Sequence, residues 1–373
     1  MVDPSSKADI IVVGAGVAGT VASAVLGRQG SRVILVDPHP SCAPILKAEK
    51  SQQEQLRLLR KFGLLEQVLP YTGHIHEVQE AYNGRVFHVN PMEQYGFSYA
   101  DMVNALRTNL PATVTSKLGN VQRIANSAEI QRVQLADGEE LTARLVVLAC
   151  GINHTLQTSL GLRRRIIQKD QCFVFGFTVE ASNGQPFPFD AVTCFPTYFT
   201  DRIDYLTLFK LQQTMRANLF VFRPASDPWI RRFLQEPTRM LEQSFPRLTR
   251  VIGDYRLAGK VETGCVDLYC MDGDPPPGVI VIGDAFQSAC PATGLGLDKI
   301  LTDVDVLSEC LPAWLATPGI GPDKLSQFYN HPRKRSMDMH ALQSAKSQRQ
   351  AACSGSLRSR IRRLLLHLKW RFC

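Results

Sequence analysis

The stretch DIIVVGAGVAGTVASAVLGRQGSRVILVD, residues 9–37, determines the fold of this chain. An apolar strand at 9–13 is followed by a glycine turn, a helix rich in Ala, Val and Leu, and a second strand that ends on Asp37. This is the order of a β-α-β unit. Because the first strand is apolar throughout, we expect both of its faces to be buried in a parallel sheet.

The glycine spacing in this unit is typical of a dinucleotide site. Gly14 permits a tight turn, Gly16 lets the backbone approach a pyrophosphate, and Gly19 lets the helix pack against the strand. The turn, which includes Ala15, leads into a helix N-terminus whose unpaired N–H groups can bind phosphate. Asp37 is placed to accept hydrogen bonds from a ribose diol and repels a 2′-phosphate, so FAD or NAD is expected rather than NADP.

The pattern beyond this unit predicts that the first domain is interrupted and later resumed. A hairpin turn at Asn83-Gly84 begins a different layer. Aromatic-rich strands between 173 and 222, followed by a helical pattern at 229–245, predict an antiparallel sheet with a covering helix. A buried strand at 279–282 and a long helix then return the chain to the first sheet.

The segment VIGDAFQSACPATGLG, residues 281–296, decides between the nucleotides. Together with the first turn it resembles the FAD fingerprints of class A flavoprotein monooxygenases, the para-hydroxybenzoate hydroxylase family, over about residues 1–345. The resemblance implies that Asp284, after Gly283, binds the ribityl or phosphate region of FAD. It also implies that the loop with Pro291, Gly294 and Gly296 lies against the flavin ring, where a helix N-terminus can stabilise negative charge.

Two further residues are assigned to the cofactor site, the first of them from the same resemblance. Lys50 is the counterpart of a basic residue that meets the flavin edge, although a solvated charge cluster is an equal alternative for it. Val121, at the start of a predicted strand, is assigned to the cofactor site as well.

The implied fold class is α/β, a Rossmann-like FAD-binding domain with an inserted antiparallel-sheet substrate domain. The predicted FAD-binding parts are 1–72, 99–170 and 273–345, with the flavin loop and its helix in the last of these. The substrate-domain parts are a hairpin at 73–98 and the sheet at 171–272, and a basic amphipathic tail occupies 346–373.

Three departures from the family pattern indicate a divergent member, and the first of them questions the family's link between flavin and NAD(P)H binding. Cys150 stands where the family commonly has an Asp-Gly pair, and a thiol cannot replace that carboxylate. Tyr99 stands where the family has an arginine, which removes a phosphate contact. Phe286 and Gln287 replace the residues that usually follow Asp284.

The function implied by the resemblance is an FAD-dependent monooxygenase. It would hydroxylate an aromatic or similarly apolar small molecule with O2, through a flavin C4a-hydroperoxide, with NAD(P)H as a transient reductant. Three alternatives stay open: a monooxygenase supplied with reduced flavin by a separate flavin reductase, a reductase or dehydrogenase of the geranylgeranyl-reductase type, and a non-catalytic FAD-binding protein. The catalytic acid or base is unknown, and the candidates are His74, His76, Tyr95, Tyr198 and Tyr205.

Composition sets the remaining expectations. The net charge of +8 is concentrated at the C-terminus without a nucleic-acid motif, so no nucleic-acid partner is expected. The cysteines form no C-x-x-C pair and no metal site is predicted; Cys265 and Cys270 are interpreted as buried inert thiols, with a redox pair as the alternative. No leader or spanning segment is recognised, so a cytoplasmic protein is expected.

The C-terminal segment predicts a basic amphipathic helix. Its apolar positions include Leu357, Ile361, Leu364 and Leu368, with arginines and lysines on the remainder. Such a helix can dock onto the protein itself or lie peripherally on an anionic membrane surface, and both interpretations stay open.

Overall fold

The glycine turn lies at the carboxyl end of the central strand of a five-stranded parallel sheet. The computed structural model describes residues 7–198 and 201–353. The strands in these ranges are β1 Ile10–Val13, β2 Val33–Asp37, β3 Thr72–Tyr82, β4 Arg85–Phe97, β5 Val114–Leu118, β6 Val121–Ala125, β7 Gln131–Leu135, β8 Glu140–Ala143, β9 Leu145–Leu148, β10 Arg163–Ala181, β11 Ala191–Phe195, β12 Ile203–Leu211, β13 Thr214–Val221, β14 Tyr255–Asp272 and β15 Val279–Val281.

The helices surround two large sheets. They are α1 Val17–Arg28, α2 Gln53–Lys61, α3 Leu65–Val68, α4 Tyr99–Thr108, α5 Thr155–Ser159, α6 Pro228–Gln235, α7 Pro237–Ser244, α8 Thr249–Ile252, α9 Gly296–Leu315, α10 Pro322–Tyr329 and α11 Pro332–Cys353. No helix of the described ranges is long and apolar enough to cross a membrane.

The parallel sheet has the strand order β15-β9-β1-β2-β5. All four neighbouring pairs are parallel, and β1, in its centre, is fully buried. Helices α1, α4 and α9 share one apolar core with residues of the sheet, including Val21, Met102 and Leu301. The predicted Rossmann-like arrangement is therefore confirmed, and β15 does return to it from far along the chain.

The second large sheet has seven strands in the order β14-β10-β13-β12-β11-β3-β4. Its pairs are antiparallel except for β11 beside β3. The hairpin between β3 and β4 turns at Asn83 and Gly84, both with positive φ, as a tight hairpin turn requires. One face of the sheet packs on α6, α7 and α8 through an aromatic core that includes Phe175 and Phe233.

Two helical regions of the chain are interrupted in the structure. The pattern at 229–245 forms α6 and α7 as separate helices, since Pro237 cannot donate the hydrogen bond that would continue α6. Residues 53–68 form α2 and the short α3, with Gly63 at a φ of +68° between them. Both breaks come from residues that end helices locally.

The expectation that Cys265 and Cys270 are buried thiols is wrong. They lie on β14, at the edge of the seven-stranded sheet, where Cys265 is exposed and Cys270 is half-buried. The Cys265 thiol donates to Asp170, and the Cys270 sulfur accepts from Arg165. The predicted amphipathic helix around Leu357–Leu368 lies outside the described residues.

Candidate FAD site and substrate-facing sheet

Four strands of the parallel sheet end at one edge, and the predicted cofactor residues follow them. The glycine turn follows β1, Asp37 ends β2, Cys150 comes two residues after β9, and Gly283 comes two residues after β15. Because the strands are parallel and adjacent, their carboxyl ends meet at the same side of the sheet. The fold therefore brings both predicted fingerprints together.

The glycine turn has the close backbone contacts that only glycine allows. Gly14 has a φ of +99°, and a Cβ there would lie 2.6 Å from the Ala149 carbonyl oxygen. A Cβ on Gly19 would lie under 3.0 Å from the Gly14 carbonyl oxygen. The N–H groups of Gly16 and Ala18 have no hydrogen-bond partner among the described residues. This open pair of donors at a helix N-terminus fits a diphosphate.

Hydrogen bonds from the neighbouring backbone orient the Asp37 carboxylate. Its carboxylate accepts from the N–H of Ala15 at 2.6 Å and from the N–H of His39 at 2.9 Å. Arg107, on α4, donates through Nε to the Ala15 carbonyl at 2.7 Å and through Nη1 to the His39 carbonyl at 3.1 Å. Sequence reasoning missed Arg107, because its role depends on α4 crossing the turn.

Tyr99, at the start of α4, faces the glycine turn. The Val17 N–H donates to the Tyr99 hydroxyl at 3.2 Å, and the ring is buried in the core of the parallel sheet. The Lys47 ammonium lies 5.3 Å from the centre of the Tyr99 ring. Burial raises the pKa of Tyr99, so the phenol stays protonated.

Asp284 is held in place through hydrogen bonds to its own carbonyl and to that of the next residue. Tyr269 donates its hydroxyl to the Asp284 carbonyl at 2.8 Å, and Gln157 donates to the Ala285 carbonyl at 2.5 Å. The side-chain oxygens of Asp284 have no hydrogen-bond partner within the described part of the chain. Such a half-buried carboxylate fits a ligand that brings hydroxyl groups, as the ribityl chain of FAD does.

Three buried charges and one partly buried charge anchor the segment after β15. Asp303 accepts from the Gly283 N–H at 2.8 Å, and its carboxylate pairs with Lys334 at 2.7 Å and Lys299 at 3.3 Å. Asp338 pairs with Lys334 at 3.1 Å and Lys299 at 3.4 Å. Burial alone would raise the pKa of Asp303, but the two lysines lower it. We call Lys299, Asp303, Lys334 and Asp338 the buried charge cluster.

The predicted flavin loop lies between α2 and the seven-stranded sheet. Gly294 has a φ of +69°, and a Cβ there would lie under 3.0 Å from the Gln52 side-chain amide. Gln55 donates to the Gly294 carbonyl at 3.1 Å and to the Asp298 carboxylate at 2.6 Å. Burial raises the pKa of Asp298. Pro291 begins a short 3-10 turn, and Gly296 begins α9, so the loop ends at the N-terminus of a long helix.

The face of the seven-stranded sheet opposite α6–α8 contacts this loop. Tyr205 donates to the Ala292 carbonyl at 2.7 Å, and burial raises the pKa of its hydroxyl well above its ordinary value. Thr207 and Asn218 lie directly opposite each other on β12 and β13. Both are buried, and neither Thr207 Oγ1 nor Asn218 Oδ1 has a hydrogen-bond partner among the described residues. The face thus offers two unused buried acceptors beside the loop.

Lys50 adds a cation to this substrate-facing side. Its ammonium lies 5.6 Å from the centre of the Phe209 ring, and no carboxylate of the described residues is within ion-pair distance of it. The adjacent Glu49 is instead paired with Arg216 at 3.1 Å. Burial lowers the pKa of Lys50 to about 8. Lys50 is thus partly buried against an aromatic ring, and its place at the flavin edge stays a prediction.

Several predicted residues lie away from this centre. His74 and His76 are exposed on β3, where His74 stacks on Tyr95 with ring centres 4.6 Å apart. Tyr198 is 53% exposed. Val121 is buried in the core at the start of β6, just after β5, whose end pairs with Asp37. The described residues include no cluster of three or more His, Cys, Asp or Glu that could hold a metal ion.

A parallel-sheet nucleotide site joined to a second, mostly antiparallel sheet defines the chain as an FAD-binding flavoprotein of the class A monooxygenase fold. The chain belongs to the FAD binding domain family, whose model matches residues 7–197. The predicted family resemblance, fold class and FAD cofactor are thereby confirmed, and the family is one of FAD-dependent oxidoreductases.

Curated and solved proteins are similar to this chain at low identity. Kynurenine 3-monooxygenase of Salinispora arenicola is 24% identical over 82% of this chain and 72% of its own length. A 3-(3-hydroxy-phenyl)propionate/3-hydroxycinnamic acid hydroxylase of Burkholderia vietnamiensis is 34% identical over 22% of this chain and 14% of its own length. The crystal structure of p-nitrophenol 4-monooxygenase from Pseudomonas putida superposes with a TM-score of 0.75 at 18% identity, covering 95% of this chain and 91% of that one.

Proposed function

We propose that the chain is an FAD-dependent monooxygenase that hydroxylates an aromatic or similarly apolar small molecule with O2 and a nicotinamide reductant. The observation that carries the proposal is the junction of the flavin loop and the seven-stranded sheet. There Tyr205 donates a hydrogen bond to the Ala292 carbonyl, and Thr207 Oγ1 and Asn218 Oδ1 on the same face of the sheet have no partner among the described residues. A substrate on that face would lie next to the flavin. The similarity to kynurenine 3-monooxygenase and to phenolic hydroxylases favours the same reaction class.

The predicted cofactor residues can each be assigned to one part of FAD. In this proposal Asp37 binds the adenosine ribose, with Val121 nearby, and the turn Gly14, Ala15, Gly16 and Gly19 holds the diphosphate. Gly283 and Asp284 contact the ribityl region, and Pro291, Gly294 and Gly296 place the loop against the ring. When bound, FAD would supply the electron transfer and the activation of O2 that amino-acid side chains cannot supply.

The chain itself would position the substrate and exclude water. Phe209 and Phe220 are buried apolar side chains on the substrate-facing side, while Thr207 and Asn218 can accept hydrogen bonds from a hydroxyl or amino group. Lys50, with no carboxylate partner among the described residues, can stabilise an anionic group of the substrate or negative charge at the flavin edge. A dry site limits the discharge of activated oxygen as hydrogen peroxide.

One observation favours a variant in which a separate reductase supplies reduced flavin. Cys150, after β9, replaces the acidic residue that links flavin and nicotinamide binding in the resemblance. Burial raises the pKa of its thiol, so no carboxylate-like charge stands there.

The first experiment is anaerobic mixing of the protein, saturated with FAD, with NADH or NADPH while the flavin absorbance is followed. Air is then admitted with phenol, aniline and their carboxylated analogues. Bleaching by a nicotinamide followed by formation of hydroxylated product is the expected result. Bleaching only when a flavin reductase is added would favour the reductase-fed variant, and no product with chemically reduced FAD would contradict the proposal.

Replacing Asp284 by alanine is expected to weaken FAD binding by at least about tenfold, since a charge-assisted hydrogen bond contributes roughly 1.5–3 kcal/mol. FAD titration followed by flavin fluorescence measures the effect. Asp274→Ala, which removes an exposed carboxylate in the preceding proline turn, is the matched control. Equal FAD affinity in wild type and Asp284→Ala would remove Asp284 from the site.

A further inference from the structure

The space that Gly16 leaves open is occupied by a side chain of the protein. A Cβ placed on Gly16 would meet one atom within 4 Å, the hydroxyl oxygen of Tyr99 at 3.2 Å. The same oxygen accepts the Val17 N–H at 3.2 Å. The phenol therefore stands where the glycine would let a phosphate oxygen approach, and it uses one of the N–H groups at the N-terminus of α1.

Tyr99 is a buried side chain and not a mobile surface group. It is 6% exposed and packs in the same core as Val17 and Met102. Burial keeps its hydroxyl protonated, so it is a neutral acceptor for the Val17 N–H. A diphosphate that binds at this point must either break the hydrogen bond between the Val17 N–H and Tyr99 or fit beside it.

The positive charge near the turn is also limited. Arg107 directs its guanidinium to the carbonyls of Ala15 and His39, and its Nη2 lies 3.6 Å from Asp37. Lys47 has no ion pair among the described residues, but it is exposed and contacts the Tyr99 ring rather than the turn. Asp37 accepts from the turn itself, and Asp284 is close enough to Tyr99 to act on it electrostatically, so both add negative charge here. A diphosphate would meet few unused cations here, and a forked guanidinium is the group that binds it best.

We infer that this chain holds FAD weakly enough to exchange it, so that FAD is a dissociable cosubstrate, with the Tyr99 hydroxyl satisfying the turn when the nucleotide leaves. The inference depends on the FAD site and not on the proposed oxygen chemistry. It requires no new reaction step: FAD enters and leaves the same turn, its reduction by a nicotinamide, on this chain or on a separate reductase, is that of the proposed function, and the phenol and the phosphate alternate as acceptors of the Val17 N–H.

The test compares wild-type protein with Tyr99→Arg, which restores a guanidinium, in FAD titrations and in gel filtration of the FAD-loaded protein. Wild type is expected to lose FAD on the column and to bind it in the micromolar range. Tyr99→Arg is expected to bind FAD at least about tenfold more tightly and to keep it. Tyr71→Phe, at an exposed tyrosine, is the control and should behave as wild type.

Wild type that keeps stoichiometric FAD through the column, or a folded Tyr99→Arg that loses FAD as readily as wild type, would overturn the inference. If Tyr99→Arg does not fold, Tyr99→Phe decides. Removing the hydroxyl frees the Val17 N–H for phosphate, so tighter binding supports the inference, and equal or weaker binding contradicts it. Because oxidised FAD alone is titrated, these outcomes are independent of whether the FAD-saturated protein hydroxylates a substrate.

Discussion

Asp303→Ala is expected to lower the free energy of unfolding by about 3–5 kcal/mol, because it leaves buried charges without their partner. The side chains of Lys299 and Lys334 are 1% and 0% exposed, and both pair with Asp303. The substitution also removes the acceptor of the Gly283 N–H, beside the proposed contact of Asp284 with FAD. Urea unfolding of the FAD-free protein measures the loss without a contribution from cofactor binding.

Two variants separate this effect from a general sensitivity to charge removal. Glu140→Gln breaks the exposed pair with Arg132 and should cost less than about 1 kcal/mol. Adding Lys334→Met to Asp303→Ala removes a positive charge as well and should recover part of the stability. A loss below about 1 kcal/mol for Asp303→Ala would show that the buried charge cluster is not held as the structure indicates.

The same cluster sets an acid limit on stability. The folded pKa of Asp303 lies below its ordinary value of 3.8 because of the two lysines. Its contribution is therefore fully present above that value and is lost as the pH falls through the folded pKa. The pKa of Lys299 is raised despite burial, chiefly by Asp303 and Asp338, so its contribution is lost only in strong alkali.

Gly19→Ala is expected to destabilise the fold by about 3 kcal/mol and to abolish FAD retention. The new Cβ would lie under 3.0 Å from the carbonyl oxygen of Gly14, which is backbone and cannot rotate away. Helix α1 would have to move off β1, and overpacking of this kind costs about 1–3 kcal/mol or more. The same movement would displace the N–H groups of Gly16 and Ala18.

Thermal unfolding and the affinity for added FAD measure the two parts of this prediction. Gly321→Ala is the matched control, because a Cβ there meets nothing within 4 Å and its φ of −87° suits any residue. Unchanged melting temperature and FAD affinity in Gly19→Ala would contradict the close packing of α1 on the turn.

Sequence reasoning found the parts of the site that short segments encode. The turn at Gly14–Gly19, Asp37 at the end of β2, and Gly283 and Asp284 after β15 were all predicted, and the structure places them along one edge of the parallel sheet. Each depends on a strand followed by a turn, and the residues that form the turn are next to the strand in sequence. Such sites can be predicted without knowing how distant segments pack.

Contacts between distant segments could not be predicted. The sequence did not predict that Lys50, proposed for the flavin edge, lies over Phe209. Nor did it predict that Asn218 faces Thr207, because the strand pairing of the second sheet sets which side chains share a face. The buried charge cluster joins α9 to α11, and its spacing along the chain resembles ordinary surface charges. Burial, which gives these charges their large energies, is not visible in their residue types.

The sequence by itself determined that this chain binds a dinucleotide on a Rossmann-like unit and belongs with the class A flavoproteins, because glycine positions and strand polarity are local properties. Only the tertiary structure decided how the cofactor site is completed. It placed the Tyr99 hydroxyl beside Gly16 and directed Arg107 to the glycine turn. It also left Thr207 and Asn218 with hydrogen-bond acceptors that no described residue uses. Those relations arise when helix α4 and the second sheet pack against the first, and hydrogen bonds across such junctions depend on distances that a linear pattern does not contain.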